Sequence, residues 1–541
     1  MRILAALLCL FFGTLGLARA DGPATPAALI GESFEAAQWA LLSSAGAAMR
    51  QTAQRRAASD PALTALLRQR QITADRRARA EADLAALPAS SGGAAIDLSG
   101  QIDALGVELA TLDRRIAALA PNTTVAETRP LTIPEVQALL RPDEGLMLFF
   151  VGDDDSFVWA VTPERAAWRR VSTARADLET GVAAIRASLI QANTLRAGVR
   201  LNAGPTPRGA PFERTQASLL YFELLAPFEP ILKGVRHLFT VADGPLTALP
   251  LALLITDDRL AGADSDPEAL RATHWFFQRH ALTTLPSVEA LAALRARPAP
   301  AGEGRLSFLG FGDPSLGGAI AAPAEVTFYR EGGAGVEDIR ALASLPGTRR
   351  ELRALARTLR APPETLHLGL EATETAVRAA PLAQTDVIAF ATHGLLSGDL
   401  RGLGEPALVL TPPDTARPGD DGLLTASEIA ALDIPAEWVI LSACNTAGSD
   451  GRPDAEGLSG LARAFLFAGA RSLIVSHWPV RDDAAARLTT DTFTRLADHR
   501  ARGRAEALQG AMQAMLDDTS DPSLAHPAAW APFVLVGEGG S

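Results

Sequence analysis

Apolar residues recur at three- and four-residue steps through the first part of the chain. Residues 27–87 are rich in Ala, Leu and Arg; Phe34, Gln38, Leu41 and Leu42 share one helical face, and Leu63, Leu66, Leu67 and Arg70 another. Ser59-Asp60-Pro61 reads as a helix start, a capping residue followed by Pro in the first turn. Pro88 to Gly93 breaks the pattern. It resumes over 99–119 with Ile102, Leu105, Leu109, Leu112, Ile116 and Leu119. These steps predict an antiparallel helical hairpin or short bundle over 21–125, with a packing or spacing role.

The period changes near Pro130. Leu146 to Val151 and Phe157 to Val161 read as a hairpin joined by Gly152-Asp153-Asp154-Asp155-Ser156. That acidic trio lacks the twelve-residue ligand spacing of a calcium loop, so it reads as a solvated turn. A helix over 174–193, a Gly/Pro-rich loop at 203–211, a helix over 214–231 and a strand from His237 to Val241 follow. From about 305 strands and helices alternate. Strands are expected at 306–311, 365–369, 386–392, 407–410, 437–442, 471–476 and 532–536. Helices are expected at 347–359, 373–380, 425–432, 458–468, 482–497 and 503–516. Val387-Ile388-Ala389-Phe390 and Val439-Ile440-Leu441 are apolar without alternation, as strands covered on both faces are. The class implied is α/β, a mostly parallel sheet flanked by helices. The divisions are 131–300 and 305–541, and the Gly-rich segment 312–346 reads as an active-site loop or a protease-sensitive linker.

Composition narrows the picture. The 541 residues allow about three domains, and 48% apolar with 21% charged residues is ordinary for a globular chain. A net charge of −12 without a basic cluster argues against a nucleic-acid partner. Residues 1–20 read as a secretory signal: Arg2, an apolar run from Ile3 to Leu17, and the cleavage pattern Ala18-Arg19-Ala20 before Asp21. The run is short for a membrane span, which needs about 20 residues. The expectation is an exported chain, periplasmic or secreted, cleaved near Ala20 and without a membrane span once mature. Of two cysteines, Cys9 lies in the signal. Cys444 is left as a lone exported thiol, either buried and inert or reactive.

In open parallel sheets, ligands bind beyond the carboxyl ends of the strands. His393 ends one predicted strand and Cys444 another. If those strands are neighbours, an imidazole can take the thiol proton and later protonate a leaving amine. Gly394 and the amide of Cys444 itself are the natural oxyanion donors. A small buried thiol is the competing reading of Cys444. Zinc would need two further ligands; His477 is the only other His at a likely strand end, and no Cys-x-x-Cys or His-x-x-x-His spacing occurs. No Gly-x-Ser-x-Gly occurs either. Neither a metal nor a cofactor is called for.

Phe390-Ala391-Thr392-His393-Gly394 together with Leu441-Ser442-Ala443-Cys444-Asn445-Thr446 resembles the CHAT family, caspase- and separase-like domains often found behind tetratricopeptide repeats. Asp421 to Ile429, Glu456 to Leu458, Ala464 to Leu466, Ala468 to Ser472, Ser476 to Val480, and His526-Pro527 with Trp530 extend the resemblance over about 131–537. Where His477 stands, the family more often has an aliphatic residue. The resemblance implies a caspase-like fold and a Cys–His dyad, with Cys444 as nucleophile, His393 as general base and acid, and the Gly394 and Cys444 amides as oxyanion hole. It also implies that 131–300 is a degenerate, non-catalytic subdomain. The helices at 27–119 are similar to the stretch that follows the repeats; no period of about 34 residues is visible, so a repeat-bound partner is not implied.

Relatives with basic specificity place an acid in the first side-chain pocket, some two residues before the nucleophile, where this chain has Ser442. Asp454 and Glu456 are the substitutes on the following loop, against the plainer reading of solvated charge or a helix-start acid. The function implied is an exported cysteine endopeptidase acting on a polypeptide substrate through a thioester acyl-enzyme. The alternatives are a silent interaction module awaiting a trigger or partner, and an acyltransferase using the same Cys444. The N-terminal helices are left as a surface for a regulatory protein, and self-cleavage, if it occurs, is expected within 312–346.

Overall fold

The structure is a computed structural model. It describes residues 26–41, scattered positions between 66 and 84, and residues 92–119, 129–199, 210–297, 306–317, 336–396, 399–443 (apart from 401, 402, 404, 418 and 419), 460–498 and 501–540. The predicted signal at 1–20 lies outside them, as do Leu42, the Ser59-Asp60-Pro61 helix start and most of the 312–346 segment.

An 11-stranded sheet runs through the whole α/β part of the chain. Its strands are β1 (Glu144–Val151), β2 (Ser156–Val161), β3 (Ala166–Val171), β4 (His237–Val241), β5 (Ala281–Thr284), β6 (Phe308–Pro314), β7 (Leu366–Gly369), β8 (Val387–Ala391), β12 (Trp438–Ser442), β13 (Ser472–Ser476) and β14 (Phe533–Gly537). The order is β3-β2-β1-β4-β5-β14-β13-β12-β8-β6-β7. Pairing is parallel except at β1/β2, β2/β3 and β13/β14. A second sheet of three short antiparallel strands, β9 (Gly394–Leu395), β10 (Ala407–Val409) and β11 (Leu423–Thr425), stands in the order β11-β10-β9. The α/β class and the mostly parallel sheet flanked by helices stand as expected.

The unbroken apolar strands are explained by packing on both faces. Along β1, Met147, Phe149 and Val151 join one core, while Leu146 and Leu148 join the other. The first core takes the helices Arg175–Val199, Arg214–Leu224, Pro346–Thr358, Asp482–Ala497 and Arg504–Leu516; the second takes Val288–Arg295, Ala426–Ala431 and Gly460–Ala468. Each fully buried Leu, Ile or Phe contributes about 1.5–3 kcal/mol over leaving it in water.

Some expected boundaries move for local reasons. The predicted 214–231 helix stops at Leu224, and Pro227 and Pro230 open a 3-10 turn and a short helix instead, because proline removes a donor and clashes with the preceding turn. The predicted 407–410 strand belongs to the small sheet. Strand β3 escaped the sequence reading because Trp168, Arg169 and Arg170 are exposed on an edge, so its pattern is not apolar. Helix Pro26–Ala40 lies on the β1–β2 hairpin. Phe34 meets Trp159 edge-on, and Gln38 trades two hydrogen bonds of 2.9 Å with the backbone of Leu131.

The two α/β regions are also joined by charge at the amino ends of the strands. Glu144, at the start of β1, accepts from the guanidinium of Arg295 with both oxygens, and Arg295 also pairs with Glu538 beyond β14 (3.1 Å). Burial would raise the Glu144 pKa, but hydrogen bonds from His237 and the Arg141 backbone, together with the Arg295 charge, hold it down at about 2. Nearby, Glu437 pairs with Arg471 (3.2 Å) and Arg504.

Candidate active site

The carboxyl ends of β6, β8, β12 and β13 form one rim, with β8 between β6 and β12. The β8/β12 register pairs Phe390 with Leu441 and Ala391 with Ser442. His393 follows Ala391 by two residues, and Cys444 follows Ser442 by two. Cys444, Asp454 and Glu456 lie outside the described residues. His393, Gly394, Ser442 and Ala443 are described, and His393 stands at the end of the strand beside the one that leads to Cys444.

Local bonding fixes the His393 backbone. The Thr392 hydroxyl donates to the Val409 carbonyl, and the Val409 N–H donates to the His393 carbonyl at 2.9 Å. The stacked rings of Phe311 and Phe390 (5.3 Å) anchor β8 against β6 below the rim. Bonded pairs alternate with non-bonded pairs in an antiparallel ladder. His393 bonds to Val409, so Gly394 opposite Leu408 is a non-bonded position and turns its N–H away from β10. Gly394 does not need a left-handed backbone, since its φ is not positive.

The imidazole of His393 is half-buried. Nε2–H donates to the carbonyl of Ala343 at 2.7 Å. A carbonyl only accepts, so this bond fixes the proton on Nε2 and leaves Nδ1 as the lone-pair nitrogen of the neutral ring. Among the described residues Nδ1 takes no hydrogen bond. Burial pushes the His393 pKa down, and the Ala343 carbonyl offsets this only in part. The ring is therefore neutral at physiological pH and presents a base at the rim. Ala343 is held in turn: Gly317 N–H donates to Arg340 O (2.7 Å), Ser344 Oγ to Leu316 O (2.9 Å), and Ile339 and Leu342 share a small core with Leu316, Leu395 and Val409.

Two neighbours escaped the sequence reading. Ser442 Oγ donates to Glu351 Oε2 at 3.0 Å, and Glu351 is only 2% exposed. Glu351 sits on helix Pro346–Thr358 among the inward residues Gly347, Thr348, Leu352 and Leu355. A carboxylate on the apolar face of an amphipathic helix was the available signal. It brings a buried acid against Ser442, two residues before Cys444 in the sequence. At the end of β6, Asp313 has the uncommon left-handed φ of 48°, donates its N–H to the Thr348 hydroxyl oxygen (3.0 Å), and pairs with Arg349.

At the end of β13, Ser476 Oγ donates to the Ala443 carbonyl. His477 beside it is buried; burial and then the charge of Arg186 push its pKa down to about 3, so it stays neutral. No group of three or more His, Cys, Asp or Glu able to hold a metal occurs among the described residues. No helix among them is long and apolar enough to cross a membrane.

Comparison with known proteins adds a frame. The CHAT domain family's profile matches residues 214–538. Tetratricopeptide repeat protein 28 of Homo sapiens is 26% identical over 377 residues, 61% of this chain and 13% of that protein. Its Mus musculus counterpart is 26% identical over 361 residues, 59% of this chain and 13% of that protein. This chain thus matches a small part of the length of those relatives. Among solved structures, the Saccharomyces cerevisiae separase–securin complex overlaps 84% of this chain and 34% of that one, at 10% identity and a TM-score of 0.39. The Arg-specific cysteine proteinase gingipain R overlaps 62% and 69%, at 10% identity and a TM-score of 0.33.

Proposed function

The chain belongs to the CHAT domain family, and from that premise we propose that it is a cysteine endopeptidase with Cys444 as nucleophile and His393 as general base and acid. The observation that carries this reading is the His393 tautomer. Its Nε2–H is committed to Ala343, its Nδ1 has no hydrogen-bond partner among the described residues, and it stands two residues past a strand paired in register with the strand that leads to Cys444.

The steps follow from these groups. Nδ1 takes the thiol proton as sulfur attacks the scissile carbonyl. The N–H groups of Gly394 and Cys444 receive the oxyanion; such a donor is worth about 3–4 kcal/mol of barrier. The carbon–nitrogen bond breaks as Nδ1–H protonates the leaving amine. Water, deprotonated by the same nitrogen, then hydrolyses the thioester and releases the thiol. Ala343 keeps the ring oriented and favours its transient positive charge. We further propose that residues 1–20 direct export and are removed after Ala20, as their charged, apolar and small-residue order supports.

The test is labelling of the purified mature protein by a peptidyl chloromethyl ketone. Cys444 is expected to be modified, and modification is expected to disappear in His393→Ala. Equal labelling of both forms would mean an ordinary exposed thiol and end the dyad assignment. Sequencing the amino end of exported protein checks the Ala20 boundary.

A further inference from the structure

One cation at the rim has no counter-ion among the described residues. Arg186, half-buried on helix Arg175–Val199, donates from Nη1 to the Ala248 carbonyl at 2.7 Å and to the His477 carbonyl at 3.4 Å. Neither acceptor carries a formal charge, and among the described residues no carboxylate pairs with it. Burial lowers its pKa, and no acid among the described residues opposes it. Arg295 is paired with Glu144 and Glu538, and Arg349 with Asp313; Arg271, half-buried as well, spreads its donors over the Leu516, Asp518 and Asp521 carbonyls, whereas Arg186 has two carbonyls on a single nitrogen. A guanidinium offers five donors, and a partly desolvated one without an anion is costly unless something supplies the charge.

Its place decides what that something is. The guanidinium reaches the His477 carbonyl; His477 adjoins Ser476; and Ser476 Oγ is bonded to the carbonyl of Ala443, the residue before Cys444. Neighbouring strands are about 4.8 Å apart. The guanidinium therefore stands about two strand spacings, on the order of 10 Å, from Ala443. An extended peptide rises about 3.3 Å per residue, so a peptide lying across the rim would bring a side chain two to four residues from its scissile bond to this place. The imidazole of His477 adds a second sign: its Nδ1 is sealed from solvent with no hydrogen-bond partner among the described residues. This end of β13 thus carries, among the described residues, a cation without a carboxylate and a polar atom without a hydrogen-bond partner, on the flank of β12 opposite His393.

We propose that Arg186 is a specificity-determining residue that receives an acidic side chain, Asp or Glu, of the peptide substrate two to four residues from the scissile bond. The proposal rests on the peptidase reading for the word substrate, but the subsite is defined by Arg186 alone. The carboxylate would take the Nε and Nη2 edge in two parallel hydrogen bonds, which suits a guanidinium and not an ammonium. Because Arg186 belongs to the 131–300 region, that region would then select substrates for a dyad held by the other.

The experiment uses full-length mature protein and matched probes. Chloromethyl ketones with Glu at the second, third or fourth position are compared with their Gln isosteres for the rate of Cys444 modification. In parallel, Cys444→Ala protein is titrated with peptides carrying Glu or Gln at the same distances on either side of the scissile bond. Wild type is expected to favour Glu over Gln by about ten-fold at one of these positions, equivalent to about 1.4 kcal/mol, with the preference falling as salt rises. In Arg186→Gln the ratio is expected to fall to about one. Arg186→Lys, which keeps charge without the fork, is expected to retain a part. Melting curves of both variants establish that they fold.

A neutral probe that labels Cys444 with no Glu preference at any position overturns the subsite and leaves the peptidase reading standing. Arg186-dependent Glu binding by a protein that no probe labels supports the subsite and overturns the peptidase reading. A preference that survives in Arg186→Gln, or the absence of both binding and labelling, overturns the subsite. So does a loss of stability in that variant with the Glu:Gln ratio intact, which would make Arg186 a strut between the two regions.

Discussion

Replacing Glu144 by Gln should loosen the whole sheet at the seam between its two regions. Glu144 is 2% exposed and holds Arg295 with both oxygens. Gln keeps the shape and loses the charge, leaving Glu538 as the one carboxylate paired with Arg295 among the described residues. Removing one partner of a buried pair costs about 3–5 kcal/mol. An independent route gives a similar figure: the fall of the Glu144 pKa from 4.5 to about 2 corresponds to about 3 kcal/mol of native-state preference for the carboxylate. The sign follows from the depressed value. The contribution is fully present above the unfolded carboxylate range, near pH 4.5, and fades as pH falls through about 2.

Urea unfolding of wild type and Glu144→Gln at pH 7, 5, 4 and 3 reads both quantities. The expected gap is about 3 kcal/mol at pH 7 and narrows toward pH 3, because the wild type loses stability to acid there and the variant has less to lose. A gap below about 0.5 kcal/mol at pH 7, as for surface changes, or one constant across the series, would refute the reasoning.

Other consequences follow from the rim. The acid limb of Cys444 labelling against pH should lie below the ordinary imidazole value of 6.5, since burial lowers the His393 pKa; a limb at or above 6.5 contradicts the desolvated ring. Ser442→Ala removes the hydroxyl that donates to the buried Glu351 carboxylate, and should cost about 1–3 kcal/mol in thermal or urea melts; a neutral effect would mean that this hydrogen bond contributes nothing net. Gly312→Ala places a methyl against the Ala391 carbonyl and the Leu352 side chain. It should destabilise by about 1–3 kcal/mol and slow Cys444 labelling by displacing the end of β8. An unchanged melting point and rate would show that β6 and β8 yield freely.

The sheet was legible because its strands are buried on both faces. Val387 to Phe390 and Val439 to Leu441 are apolar at every position, and so short an unbroken run fits a strand covered from both sides. His393 was legible for a related reason, since a polar residue directly after such a strand falls at its carboxyl end. Partners from elsewhere in the chain were not. The Ala343 carbonyl is backbone and leaves no mark on residue identity, and Glu351 is set against Ser442 only by the placing of a helix on the sheet. Nor did sequence reveal that β14 would lie between β13 and β5, because pairing across a long separation depends on shape and not on local period. Arg186 resembled any other exposed helix residue until Ala248 and His477 were seen around it.

Strand β14 sets the order in which this molecule can be finished. It is the last strand of the sheet along the chain, yet it fills the gap between β5 and β13. Until residues 533–537 have left the ribosome, the growing polypeptide holds two unclosed half-sheets whose facing edges are bare. A nascent molecule halted earlier would carry a complete His393 strand and no continuous floor beneath it. Closure of the floor beneath His393 is thereby deferred until β14, the last strand among the described residues, has been made.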